Sequence, residues 1–292
     1  MRVYLIAATT ALVAAPAWAA DTIPTPTPEP VPVYHSEMRG TTHVADGDWS
    51  DVYVKGQVGY MWTDLDGVDY AVGGVTSTFA THDIDDTWTV GVGAGWHLNR
   101  YLRTELMFNY DFDSDFNGST LGDCGVTPVG APSPSCVSTD YASWHAYSLI
   151  ASLYVDLDFW EHHSAWGHIV PFVGGGIGGA YVNWSNLQNT SCLIATSTTC
   201  DPTITHEGES EWRFAYELAV GVAYHFRCDF AAEASYKYRN YSGGAMFGNA
   251  AGGGPGWDGG FDLQTVNAGL RFYPGRDCDP PYEPPYVPPV YK

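Results

Sequence analysis

Between Asp51 and Tyr273 the chain alternates apolar and polar residues in eight segments parted by turn-rich connections, and a period of two marks a strand with two unlike faces. DVYVKGQVGYMW sets Val52, Val54, Val58, Tyr60 and Trp62 against Tyr53, Lys55 and Gln57. WTVGVGAGWHL sets Trp88, Val90, Val92, Trp96 and Leu98 against Thr89, three glycines and His97. The third segment, near 101 to 112, opposes Leu102, Leu106, Phe108 and Tyr110 to Arg103, Glu105, Asn109 and Asp111. In the fourth, about 144 to 157, Tyr147, Leu149, Leu153 and Val155 oppose Ser148, Ser152 and Asp156. The fifth, HIVPFVGGGIGGAYVNW, is glycine-rich, and Pro171 lies near its start, where one ladder bond can be forgone. The sixth places Trp212, Phe214, Tyr216, Leu218, Val220, Val222 and Tyr224 opposite Arg213, Glu217 and His225. The seventh places Phe230, Ala232, Ala234, Tyr236 and Tyr238 opposite Glu233, Lys237 and Arg239, and the eighth Val266, Ala268, Leu270 and Phe272 opposite Thr265, Asn267 and Arg271.

Connections of 25, 31, 26 and 19 residues follow the odd-numbered strands, whereas two, about nine and three follow strands two, four and six. Long and short connections therefore fall at opposite ends. This predicts an all-β fold, an eight-stranded antiparallel up-and-down barrel with both termini at the short-turn end.

Parity alone leaves open whether the apolar face lines a cavity, as in a soluble calyx, or meets lipid. Lys55, Arg103, Arg213, Lys237, Arg239 and Arg271 share the face opposite the large aliphatics with Glu105, Asp156, Glu217 and Glu233. On the apolar face, Tyr60, Trp62, Trp88, Tyr110, Trp184 and Trp212 cluster toward the long connections, and Trp96, Tyr224, Phe226, Phe230 and Phe272 toward the short turns. Two aromatic girdles mark two membrane interfaces. An eleven-residue strand at about 3.3 Å per residue, tilted roughly 40°, spans about 25 Å, the height of the apolar band of such barrels. The prediction becomes a transmembrane barrel.

Composition narrows the function. The 292 residues hold 33 acids against 12 bases, a net charge of -21, which repels nucleic acid. Only 15% of residues are charged, while aromatics reach 15% and glycines number 33, a bias toward strands and turns. Residues 1–20 read as a signal peptide, with Arg2, an apolar run from Val3 to Ala15, and Ala17 and Ala19 forming an A-x-A cleavage site. Of the 19 prolines, eleven lie within 24–33 and 279–290, so 21–50 and 274–292 are expected to be extended Pro-rich segments flanking a barrel over 51–273.

These features, with the VPFVGGGIGGAYV segment and the final-strand NAGLRFY, resemble the OmpA-type small outer-membrane barrels and Gram-negative porin-family surface antigens. The resemblance implies an outer-membrane location, long loops outside the cell, short turns and both termini in the periplasm, and as partners the membrane lipid, lipopolysaccharide and the barrel assembly machinery. The nineteen residues after Tyr273 are too few and too Pro-rich for the peptidoglycan-binding domain of full-length OmpA-type proteins. Their PPYEPPYVPPVYK tail is expected to serve as a spacer, or to offer its tyrosines to a periplasmic partner.

On this topology Cys124 and Cys136 share the second long loop and Cys192 and Cys200 the third, while Cys228 and Cys278 emerge side by side beneath strands seven and eight. Those three disulfides are expected. An eight-stranded barrel is about wide enough for side chains to fill it, so Lys55, Arg103, Glu105, Glu217, Glu233, Lys237, Arg239 and Arg271 are expected to form an interior ion-pair network. The pairs foreseen are Glu233 and Lys237 with Arg271, and Arg103 with Glu105.

Enzymes exist on this scaffold, among them lipid A deacylases and palmitoyl transferases, and a Ser/His/acid set at the outer rim would mark one. His162, His163 and Ser164 fall in a short turn, and His145 and Ser148 on opposite strand faces, which gives no catalytic constellation. The long loops hold fourteen acids and no Lys or Arg. A solvated loop set accounts for this, and capture of divalent cations that bridge to lipopolysaccharide phosphates is the sharper alternative. Asp113, Asp115, Asn117 and Gly118 match the first half of an EF-hand loop, but Cys124 stands where the bidentate Glu belongs. His82 and His206, with Tyr70, are the candidate haem ligands, and Glu161, His162, His163 and His168 a candidate metal cluster in the turn. No cofactor is required by the pattern. The expected function is a structural and surface-interaction barrel, with a narrow porin for small cationic solutes, or a surface haem or divalent-metal binder, as alternatives.

Overall fold

The computed structural model describes residues 51–157, 168–251 and 253–276. Eight long strands make the barrel: β1 (Val52–Leu65), β2 (Thr87–His97), β3 (Leu102–Ser119), β4 (Cys136–Asp156), β5 (His168–Trp184), β6 (Ser210–His225), β7 (Phe230–Phe247) and β8 (Gly256–Phe272). Each pairs antiparallel with its sequence neighbours, and β8 pairs with β1, which closes the ring and leaves none of the eight as an edge.

Closure fixes the tilt. Val54 on β1 faces Ala94, and the register runs on through Leu106, Ala151, Ile177, Tyr216, Asn240 and Asp262 to Asp64, again on β1. One circuit thus climbs ten residues, from position 54 to position 64. With eight strands about 4.8 Å apart, that stagger sets a tilt of about 40° and a backbone radius of about 8 Å. Such a bore has room for side chains and little else.

The alternating segments place their large apolar residues outward. Val54, Leu106, Leu153, Ile177, Leu218 and Leu270 ring the waist with roughly half of each surface bare, a band that only lipid would cover favourably. Trp62, Trp88 and Trp212 are exposed above this band, and Trp96, Tyr224, Phe226 and Phe272 below it. Trp184 departs from the girdle expected of it: it is buried inside, because at the end of β5 the inward parity falls on it.

The long connections also depart from loops. β3 has 18 residues and β4 has 21, and at about 3.3 Å per residue and a tilt of about 40° the shorter rises about 45 Å, well beyond a band about 25 Å tall. Above the band, β3 and β4 continue as a ladder after a register shift between Asp111 and Ser114. Short strands broaden this crown. Val68–Val72 and Val75–Thr78 form a hairpin on β8, Thr81–Ile84 pairs with β3, and Leu187–Leu193 pairs with both β4 and Ile204–His206.

Candidate functional site

The interior is layered from the short-turn end upward. Lowest is an ion-pair lattice in which Lys55 on β1 reaches Glu105 on β3 (3.1 Å) and Glu233 on β7 (2.8 Å). Glu233 also accepts from Arg271 of β8. Glu105 further accepts from the Tyr53 hydroxyl (2.8 Å) and from Arg103 (3.2 Å), whose Nε donates to Asp156 (3.0 Å). The Arg103 guanidinium lies over the Tyr154 and Phe172 rings, 4.0 and 4.6 Å from their centroids, so its remaining N–H face meets π density. Glycines make the room: a Cβ at Gly95 would enter the Tyr53 ring and one at Gly174 the Tyr154 ring.

Above this, Lys237 bonds Glu217 (3.2 Å), which also accepts from Tyr154 (3.1 Å). The pairing foreseen for Lys237 with Glu233 and Arg271 gives way to this one, since Ser235 separates residues 233 and 237 on the inner face of β7 and Glu217 lies on the adjacent strand at the higher level. Next, Arg239 joins Asp111 (2.9 Å) and the Tyr241 hydroxyl (2.8 Å). All eight interior residues named from sequence, Lys55, Arg103, Glu105, Glu217, Glu233, Lys237, Arg239 and Arg271, are buried and paired.

Sequence reasoning missed what lies higher. Trp144 of β4 stacks on Phe261 of β8 with centroids 4.3 Å apart, and Trp184 closes on Phe261 (5.7 Å) and Phe116 (5.8 Å). Met61, Leu65 and Leu263 complete an apolar plug. Arg213 clamps Asp258 at two points, 2.6 and 2.8 Å, and the Trp184 indole N–H donates to the same carboxylate (2.9 Å). The alternation carried a signal for this layer, because Met61, Trp144 and Trp184 all have inward parity.

Over the plug the crown encloses a cavity of about 300 Å³, lined in part by Tyr70, Phe79, Phe247, Asp140, Asn189 and His206. Asp140 accepts from the Ser138 hydroxyl and the Asn189 amide. Burial pushes its carboxyl above the usual range, against the pull of those two donors. His206 is buried with Nδ1 3.0 Å from the Gly248 carbonyl oxygen. At the rim, the Ser135 and Ser133 hydroxyls hold the exposed Asp123 carboxyl below its usual range.

Disulfides join Cys124 to Cys136 and Cys192 to Cys200, with Cα separations of 6.0 and 4.0 Å. Cys228 is disulfide-bonded, and Cys278 lies outside the described residues, as do Glu161, His162, His163 and Ser164. Asp113, Asp115 and Asn117 do not form a chelating loop. They project from one outer face of extended β3, where i, i+2 and i+4 are spaced about 6.6 Å apart and diverge from any common centre. Asp113 instead meets His145 (3.1 Å) on the outer wall, while Ser148 faces inward to Asn109. His82 and His206 do not converge either: His82 lines a separate recess with Thr63, Asp64 and Asp83. No group of three or more His, Cys, Asp or Glu able to hold a metal occurs among the described residues.

A family model described as outer membrane protein beta-barrel domain matches residues 5–272. An uncharacterized protein of Brucella suis is 29% identical over 251 residues, 75% of this chain and 84% of its own length, and one of Brucella abortus matches to the same extent. Among solved structures the chain is similar to the outer membrane protein OprG from Pseudomonas aeruginosa, with TM-score 0.44 and 12% identity over 77% of this chain and 97% of that one. It is also similar to Neisserial surface protein A, with TM-score 0.36 and 13% identity over 76% and 96%. The chain belongs to the outer membrane protein beta-barrel family.

Proposed function

We propose that this outer-membrane barrel is a closed, non-catalytic wall element whose crown acts as a surface-interaction platform. The observation that carries the reading is the filled bore: stacked ion-pair layers beneath an aromatic plug leave no continuous aqueous path. A narrow porin needs such a path. The crown is acidic, lacks Lys and Arg in its long connections, and bears bare apolar side chains at Val75, Leu121, Val129 and Ile194, features suited to contact with another surface. The crown faces outward and the short turns and Pro-rich ends face the periplasm, a reading supported by the length asymmetry of the connections. The segment 1–20 is then the export signal, 21–50 and 274–292 the periplasmic flanks, and the 228–278 pair a staple beside β7 and β8. Lipid and lipopolysaccharide are the wall's partners, and the assembly machinery reads its last strand.

Planar-bilayer recording on purified protein tests the reading. The expected result is no stable open state; sustained unitary currents from the intact protein would overturn it in favour of a porin.

A further inference from the structure

Among the described residues every buried acid but one has a lysine or arginine partner. Among the described residues six bases are buried, Lys55, Arg103, Arg213, Lys237, Arg239 and Arg271, and each is paired with a buried acid. Seven acids are buried, and six of them, Glu105, Asp111, Asp156, Glu217, Glu233 and Asp258, meet those bases. The seventh is Asp140, 0% exposed, which accepts from the neutral donors Ser138 and Asn189 and has no Lys or Arg partner. A buried carboxylate without a Lys or Arg partner is costly. The long connections contain no Lys or Arg that could move in to compensate it. His206, in the same wall, directs Nδ1 to the Gly248 carbonyl and is the one protonatable side chain whose charge favours the Asp140 carboxylate.

The uncompensated carboxylate stands in the wall of the 300 Å³ cavity, which also presents the rings of Tyr70, Phe79 and Phe247. Aromatic faces together with a negative charge, and without a lysine or arginine, form the environment that holds an ammonium group. The plug of Trp144, Trp184 and Phe261 floors the crown and makes the cavity a blind receptacle rather than the mouth of a channel.

We propose that the crown cavity is a binding site for a small organic ammonium ion, with Asp140 as its counter-charge and Tyr70, Phe79 and Phe247 as its aromatic cage. The carboxylate acts through the thin layer of Ser138 and Asn189 that covers it, and the surrounding acidic crown draws cations toward the opening. Ligand entry supplies the positive charge that no lysine or arginine of the fold provides there.

Titration calorimetry on the full chain in detergent micelles, with folding checked by heat-dependent mobility, tests this with choline and n-butylammonium as probes and 3,3-dimethylbutan-1-ol as choline's uncharged isostere. Saturable binding of at least one cation is expected, at least tenfold tighter than the alcohol. Asp140→Asn should weaken it tenfold or more and Tyr70→Leu severalfold, while Asp115→Asn, on the outer face of β3, should change it less than twofold. Should Asp140→Asn fail to fold, Asn189→Lys places a tethered ammonium beside the intact carboxylate and should abolish binding. Absence of binding by both cations, equal binding of the alcohol, binding unchanged in Asp140→Asn or Asn189→Lys, or an Asp140-dependent site that takes calcium in place of the ammonium probes would each overturn the proposal.

Discussion

Arg239 on β7 and Asp111 on β3 form an ion pair, 2.9 Å, across the full width of the barrel. Their strands lie four apart in either direction around the ring, as do those of the stacked Trp144 and Phe261. The bore is thus crossed twice at successive heights, once by charge and once by aromatic surface. Neither crossing can be removed without leaving the other.

Breaking the charged crossing should be severe. Arg239→Ala leaves Asp111 buried with only the Tyr241 hydroxyl, and a loss of about 3–5 kcal/mol is expected, because a stranded buried charge costs more than the pair contributes. Urea unfolding in micelles measures it. The double variant with Asp111→Ala should recover part of the loss, and strictly additive effects would show that the two groups do not interact.

Removing the aromatic crossing should weaken the wall without opening it. Trp144→Ala is expected to destabilise by about 3–5 kcal/mol through the cavity it leaves. Bilayer recordings should stay silent, since the Arg239 layer and the lattice of Lys55, Glu105 and Glu233 still block the bore below. Stable currents from this variant alone would assign closure to the plug.

Asp140 carries a pH signature. Burial raises its carboxyl above the unfolded value, so the native state binds its proton more tightly and the penalty is fully present above the raised value. The penalty fades as pH falls through that value toward the ordinary carboxylate range. Without ligand, Asp140→Asn should therefore unfold at a higher temperature than the parent at neutral pH, and the gap should close on acidification. A gap that widens toward acid would reverse the assignment.

The crown disulfides should guard the crown rather than the barrel. Each closes a short loop, with sequence separations of 12 and 8, for which loop-closure entropy gives about 2–3 kcal/mol on a model-dependent scale. After reduction, chymotrypsin should cut between positions 120 and 210 faster, while the remaining barrel keeps its heat-dependent mobility. Equal cleavage of both forms would mean that strand pairing alone holds the crown.

Strand alternation carried the barrel because lipid on one side and a narrow bore on the other impose opposite demands on neighbouring residues. The same logic made Lys55 and Arg271 legible as interior groups. It failed where those demands relax. Above the membrane β3 runs on through Asp113, Asp115 and Asn117 with polar residues outward, so the apolar rhythm stops while the strand continues. Inside, parity placed Trp184 on a face but could not reveal that the face had become an aromatic plug. Asp140 was one acid among many in sequence. Its isolation emerges only when the partners of every buried base are known.

The long connections contain acids, hydroxyls and aromatics but no lysine or arginine, and six of the chain's bases are folded into its interior. With the crown outward, as proposed, that face is blank to trypsin or an amine-reactive label applied to whole cells. In that orientation surface-shaving and biotinylation surveys would pass over the protein, and a protease of trypsin's specificity would find nothing in the crown connections to cut.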